Sequence, residues 1–327
     1  MQGKHRKNRV MPLRAKIAGI GVCLPDNIVT NRDLDKIIKT SDQWIRSRTG
    51  ISERRILKKE SSKMASDLGA EACCNALKES GLTPEAVDCI ICGTFTPDYV
   101  FPSTACNIQE KIGAKNATAF DISGACSGFL FGLAIADGFI KSGKYKNVLL
   151  VGSEIISRVR DWNDRNTCVL FGDGAGAAAI CASEGAEGVL STYTGTGGSR
   201  GNILSLPAWG DPRFLKMNGT EVFKHAVRRM KESALKVLKT AGMKPESVDW
   251  LVTHQANIRI IHATAKQLGI PVEKVIVNVD KYGNTSSASI PLALKDALDR
   301  GSIKEGHLVV MAAFGGGLTW GAAAVRW

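Results

Sequence analysis

Three short stretches carry side chains that could do acyl-transfer chemistry as one set. They are Asp121-Ile-Ser-Gly-Ala-Cys126-Ser-Gly-Phe129, His254-Gln-Ala-Asn-Ile-Arg259 and Gly283-Asn284-Thr-Ser-Ser-Ala-Ser289. Each places one functional side chain (Cys126, His254, Asn284) among small residues, where a substrate can approach. A thiol supplies a nucleophile, and an imidazole and a carboxamide can hydrogen-bond a reacting carbonyl oxygen. His254 and Asn284 lie 30 residues apart, about one strand-helix-strand unit, so one fold can bring them side by side.

The flanking sequence says how they would be held. Thr118-Ala-Phe-Asp-Ile-Ser reads as a strand ending in a glycine turn, and residues 127–141 read as an apolar, small-residue helix. Cys126 then falls at a helix start, where positive potential is expected to lower its pKa and favour thiolate. A small packing residue is the plain alternative. Of the nine cysteines, however, only Cys126 is flanked by Gly and Ser at a strand-to-helix turn. The arrangement follows the logic of a nucleophile elbow with a different residue pattern. His254 ends the apolar run Val248-Asp-Trp-Leu-Val-Thr, the position where parallel sheets bind ligands. Asn284 follows Tyr282-Gly283, which alone would be an ordinary turn signal. Near the C-terminus, a strand over 307–313 delivers Phe314-Gly-Gly-Gly, whose backbone N–H groups can face an oxyanion. Phe171-Gly-Asp-Gly-Ala-Gly lacks the Lys-Ser/Thr of a phosphate loop and reads as close strand packing.

The chain repeats itself at an offset of 161. Gly81-Leu-Thr-Pro-Glu-Ala-Val-Asp88 returns as Gly242-Met-Lys-Pro-Glu-Ser-Val-Asp249, with five identities, and Val148-Leu-Leu maps onto Val309-Val-Met. An amphipathic helix precedes each Gly-x-x-Pro-Glu turn (63–80, 221–241), and an apolar strand follows (87–93, 248–253). Duplication predicts two halves, 14–181 and 182–327, behind a basic arm at 1–13. Each half should hold a mixed, largely parallel sheet covered by helices. The offset carries Cys126 onto Ser287, three residues after Asn284, so the two turns should meet near a shared axis.

Composition narrows the function. The 327 residues allow two domains or one large double domain. Net charge is +12, which favours an anionic partner such as nucleic acid, a phosphorylated cofactor or an acidic protein. With 6% aromatic residues and no RNA- or DNA-binding module, nucleic acid is the weakest of these. Lys4, Arg6, Lys7 and Arg9 crowd the start without an apolar core, which is not a secretory pattern. No run approaches the roughly 18 apolar residues of a membrane helix. Nine cysteines, an odd number, speak against a disulfide framework and for a reducing, cytoplasmic setting. Cys89-Ile-Ile-Cys92 has redox or zinc spacing but sits in a strand with no second pair, so both residues read as core, and no metal site is expected.

Together these motifs closely resemble the initiating, class III beta-ketoacyl-acyl-carrier-protein synthases of the thiolase superfamily. The likeness runs from about residue 14 to Trp327. It rests on Ser41-Asp-Gln-Trp44-Ile-Arg-Ser-Arg48-Thr-Gly50, Phe101-Pro-Ser, the Cys126 turn, Phe171-Gly-Asp-Gly, His254-Gln-Ala-Asn257, Gly283-Asn-Thr-Ser and Phe314-Gly-Gly-Gly. Gly124 departs from the family's usual Ala, and the basic arm is extra. The resemblance implies a five-layered αβαβα fold and a homodimer. It implies loading of a short acyl group from acyl-coenzyme A onto Cys126, then decarboxylating condensation with malonyl-acyl carrier protein. Acyl-coenzyme A is then a substrate, and no cofactor is implied. Backbone N–H groups of Cys126 and Gly316 would hold the first oxyanion, and His254 and Asn284 the enolate of the second step. Elongating relatives carry a second His where Asn284 stands. By the same likeness, Trp44, Arg48, Arg165, Gly219, Phe223 and Asn257 would bind coenzyme A. Phe101 would limit the acyl pocket at a dimer interface, and Lys224, Arg259 and Lys266 would face the acidic carrier. Three rival readings are a superfamily acyltransferase or secondary-metabolite ketosynthase, a Cys-His-Asn thiol hydrolase, and a non-catalytic basic binding protein.

Overall fold

The computed structural model describes residues 13–327. The basic arm expected at 1–13 therefore lies outside the described residues except for Leu13.

Two sheets organise the chain. The first has the spatial order Arg14–Cys23, Gly174–Ser183, Asn147–Glu154, Cys89–Gly93, Thr118–Ile122. The second runs Trp250–Thr253, Leu308–Gly315, Thr319–Arg326, Gly188–Thr196. Helices Gly128–Lys141 and Ser289–Asp299 pack between the sheets. Phe129, Leu133 and Ile140 from one and Ile290 and Leu294 from the other meet Leu150 and Ile180 below and Val309 and Met311 above. Helix Ala65–Ser80 covers the outside of the first sheet. Helices Gly219–Thr240 and Ile258–Leu268 cover the outside of the second. The layers are thus helix, sheet, helix, sheet, helix, the thiolase-like five-layered arrangement.

Strand periodicity explains why both sheet faces are apolar. In Cys89–Gly93, Cys89 and Ile91 point to the central layer and Ile90 and Cys92 to the outer helices, as period-2 alternation requires. Cys89 and Cys92 therefore face opposite sides of the sheet and cannot form a joint redox or metal pair.

The sheets are less parallel than expected. Strand Cys89–Gly93 pairs in parallel with both neighbours, and Trp250–Thr253 with Leu308–Gly315. The remaining pairings of the two sheets are antiparallel. The cause is local at the C-terminal end, where Leu308–Gly315 turns into Thr319–Arg326 through three residues. That connection is far too short for a parallel crossover.

The 161-residue offset reappears in the elements. Turn Ala125–Ser127 matches Ser286–Ala288, and strand Asn147–Glu154 matches Leu308–Gly315. Among the described residues, the two non-glycine residues with positive φ, Ala125 (46°) and Ser286 (52°), are themselves one offset apart.

Candidate active site

Cys126 sits in the turn Ala125–Ser127 that opens helix Gly128–Lys141. The preceding Ala125 holds a left-handed backbone, uncommon for an L-residue with a Cβ and characteristic of constrained sites. Gly315 backs the turn. A Cβ there would lie 2.6 Å from the Cys126 nitrogen, so only glycine lets this strand end approach the Cys126 turn. Gly316 follows, half-buried, on the wall of a cavity that also includes Cys126.

His254 follows strand Trp250–Thr253, with its N–H donated to Ala312 O at 2.8 Å. Its Nδ1 lies 2.6 Å from Ser289 Oγ, which leaves Nε2 as the ring nitrogen available to a ligand. Burial holds its pKa down, at about 3, so the imidazole is neutral near pH 7.

Asn284 is held by backbone on both sides. Its N–H donates to Leu170 O at 2.8 Å, and its carbonyl accepts from Gly172 N–H at 3.0 Å. This gives the Phe171-Gly-Asp-Gly segment a task beyond strand packing. Two buried arginines brace that segment: Arg54 donates to Val169 O, and Arg160 to Cys168 O and Phe171 O. The Asn284 Oδ1 accepts from Ser286 N–H, so Nδ2 is the end left for a ligand.

Cys126, His254 and Asn284 all line one cavity of about 110 Å³, with Gly219, Phe223 and Asn257 on the same wall. Cys126 also borders a second, mostly apolar cavity of about 590 Å³, lined by Phe95, Ile122, Leu204, Leu206 and Leu215 among others. The thiol thus stands between a narrow, mostly apolar space into which His254 and Asn284 bring their polar groups and a wider one.

The expected thiolate at rest is corrected. Burial, the dominant influence, pushes Cys126 up to about 12, and the nearby Glu154 charge adds to it, while the Ser286 hydroxyl pulls the other way. Desolvation of the buried thiol penalises the anion more than one helix end stabilises it. The resting thiol is therefore neutral.

The remaining candidates fall into groups. Trp44 lies on helix Asp42–Thr49, with the guanidinium groups of Arg48 and Arg165 at 4.8 and 4.6 Å from its ring centroid. These three lie outside the wall of the smaller cavity. Asn257 ties them to it, donating from Nδ2 to Arg48 O at 3.0 Å while its Oδ1 caps helix Ile258–Leu268. Lys224, Arg259 and Lys266 are exposed on two neighbouring helices, with Arg259 at 5.7 Å from the Phe223 ring centroid. Phe101 is 84% exposed and lines neither cavity within its own chain; Tyr99 and Val100 beside it line the larger one. Sequence reasoning missed Ser286, Ser289 and Glu154, although a lone Glu closing the apolar strand Asn147–Glu154 was a signal.

A five-layered fold with a buried Cys, His and Asn on one cavity defines a condensing acyltransferase of the thiolase type. Residues 120–198 match the family model described as 3-oxoacyl-(acyl-carrier-protein) synthase III, and 238–327 the model of that family's C-terminal part. The chain is 53% identical over 312 residues to beta-ketoacyl-(acyl-carrier-protein) synthase III of Aquifex aeolicus, covering 95% of this chain and 99% of that one. It is 50% identical over 311 residues to the synthase III 1 of Bacillus cereus, covering 95% and 98%. The crystal structure of the Aquifex aeolicus VF5 3-oxoacyl-(acyl-carrier-protein) synthase III superposes with a TM-score of 0.92 at 52% identity, covering 96% of this chain and all of that one. The chain belongs to the beta-ketoacyl-acyl-carrier-protein synthase III family.

Proposed function

We propose that this chain loads a short acyl group from acyl-coenzyme A onto Cys126 and condenses it with malonyl-acyl carrier protein, releasing carbon dioxide and starting fatty acid synthesis. The observation that carries the reading is the shared cavity of Cys126, His254 and Asn284, with the carboxamide oxygen already occupied by Ser286 N–H.

In the first step the Cys126 sulfur attacks the thioester carbon. The thiol proton leaves as attack proceeds and ends on the departing coenzyme A sulfur. Backbone N–H groups of Cys126 and Gly316 stabilise the oxyanion. The acyl chain enters the apolar cavity on the far side of Cys126. In the second step His254 Nε2–H and Asn284 Nδ2–H donate to the malonyl thioester oxygen. Carbon dioxide departs, and the resulting carbanion attacks the acyl carbon and displaces the Cys126 sulfur as thiolate, which takes a proton from solvent. Neither donor needs to change protonation, which fits a neutral imidazole and an amide.

Trp44, Arg48 and Arg165 hold the coenzyme A nucleotide, a base on Trp44 displacing one of the stacked guanidinium groups. Gly219, Phe223 and Asn257 line the approach. Lys224, Arg259 and Lys266 meet the acidic carrier. The enzyme is a homodimer in which Phe101 limits the acyl pocket, built from duplicated halves 14–181 and 182–327. Nine free cysteines support a reducing, cytoplasmic setting. No metal or other cofactor and no nucleic acid takes part. Among the described residues no helix is long and apolar enough to cross a membrane, and no group of three His, Cys, Asp or Glu could hold a metal ion.

The test is mass spectrometry after incubation with a panel of acyl-coenzyme A compounds, followed by malonyl-acyl carrier protein and a carbon dioxide assay. An acyl adduct at Cys126 that malonyl-carrier discharges with carbon dioxide is expected. Absence of either step would sink the reading.

A further inference from the structure

Glu154 closes strand Asn147–Glu154 as a fully buried carboxyl, and no step above uses it. Four donors converge on its Oε2: the hydroxyls of Thr96 at 2.6 Å and Thr94 at 3.2 Å, and the N–H groups of Phe95 and Thr96, each at 3.2 Å. Its Oε1 has a different neighbour, Ser287 Oγ at 3.1 Å. A serine has one hydroxyl hydrogen. That of Ser287 has a shorter contact, 2.7 Å, with Gly93 O, which can only accept. When that hydrogen goes to Gly93 O, the Oε1 contact is a hydrogen bond only if the carboxyl itself carries the proton. Burial acts in the same direction, pushing the group up to about 7 against the pull of the Thr96 and Phe95 donors.

The duplication ties this carboxyl to the nucleophile. One offset of 161 carries Cys126 to Ser287 and Glu154 to Gly315. Gly315 packs on Cys126, and Glu154 makes the reciprocal contact with Ser287. Next in the chain, the Ser286 hydroxyl is buried without a hydrogen-bond partner of good geometry. The turn Ser286–Ala288 packs directly against the Cys126 turn, and the Ser286 hydroxyl lowers the pKa of both Cys126 and Glu154. Among the elements packed on this strand, the titratable groups that feel Glu154 are Cys126 and Cys92, and Cys73, Asp121 and Asp98 act on Cys92 as well. The leading influences on Glu154 besides burial are hydroxyl and N–H donors, with no cation among them.

We propose that Glu154 is a positioning residue that governs Cys126 through its own charge. Protonated, it leaves the nucleophile turn neutral and lets the thiol ionise. Ionised, it holds the thiol proton in place. The proposal rests on Cys126 as the loading nucleophile and adds a proton switch behind it.

Alkylation of Cys126 by iodoacetamide tests it, followed by site-resolved mass spectrometry on the whole protein from about pH 5 to about pH 10, the span that brackets carboxyl and thiol ionisation. In the wild type the logarithm of the rate should climb with pH, climb at about half that slope over roughly one pH unit above neutrality as Glu154 ionises, then resume its full slope. Glu154→Gln should give one unbroken climb and react about tenfold faster above the break, the effect of a like charge worth about one pKa unit. A wild-type profile without a break overturns the proposal, whether or not the variant folds. So does a folded Glu154→Gln that keeps the wild-type profile. Iodoacetamide asks only for a thiolate, so failure of acyl-coenzyme A to load Cys126 would defeat the enzymatic reading and leave the break in place.

Discussion

Ser286 N–H donates to Asn284 Oδ1 across 2.8 Å, and that bond orients the carboxamide. A backbone N–H can only donate, so the oxygen must lie at that end and the NH₂ at the other. Asn284→Asp keeps the shape and the bond to Ser286 but removes the donor. Asn284→Ala removes both. Each is expected to slow condensation by roughly 10²–10³, the effect of losing one oxyanion donor, and to slow loading far less. Single-turnover loading followed by a malonyl-carrier chase measures the two steps separately. Equal damage to both steps would overturn the division of labour.

His254 makes a second, thermodynamic prediction. Its pKa falls from an ordinary 6.5 to about 3 on burial. Between those values the unfolded chain holds a proton that the folded chain excludes, so stability rises with pH through this window. The contribution is fully present above 6.5 and is lost as pH falls, at up to about 1.4 kcal/mol per pH unit. Glu154 has the opposite slope, because its folded pKa is raised. The effect should therefore be read as the difference between wild type and His254→Gln. In denaturant titrations that difference should shrink steadily as pH is lowered from neutral toward about pH 4. A difference independent of pH would mean that the imidazole is not held neutral by the fold.

Much of this site was legible because its main parts are local. Cys126 and Asn284 lie in turns whose glycines, serines and flanking apolar runs mark them in sequence, and the 161-residue repeat placed the two turns together. Other parts depend on distant contacts. Ser289 meets His254 across 35 positions and Ser287 meets Glu154 across 133, and neither has a local signature. The acidity of Cys126 was misjudged for the same reason: a helix start shows in a few residues, but burial is set by the whole fold. The antiparallel sheet edges were missed because apolar runs do not encode strand direction.

Cys126 should be the only cysteine that accumulates an acyl group. Cys74 and Cys106 are exposed but lie apart from the cavity that holds His254 and Asn284. Cys126→Ser should abolish loading, because a hydroxyl at this buried turn is far harder to deprotonate than the thiol. Intact-mass and peptide analysis after acyl-coenzyme A exposure measures this. A covalent acyl adduct on Cys126→Ala would show that the nucleophile lies elsewhere.

Lys224 and Arg259 are predicted to serve the carrier protein more than coenzyme A. Both are exposed beside Phe223, which lines the approach to Cys126. Lys224 is paired with Glu221 at 2.8 Å, an exposed i,i+3 pair of the kind that contributes little to stability. Charge reversal to Glu at both positions should therefore leave the fold intact. It should raise KM for malonyl-acyl carrier protein, since electrostatic docking acts through encounter and weak affinity. Loading from acyl-coenzyme A should change less. Added salt should reproduce the defect in the wild type, because exposed charges are screened over about 8–10 Å near physiological ionic strength. If the double reversal keeps the wild-type carrier KM at low salt, this surface is not where the carrier docks.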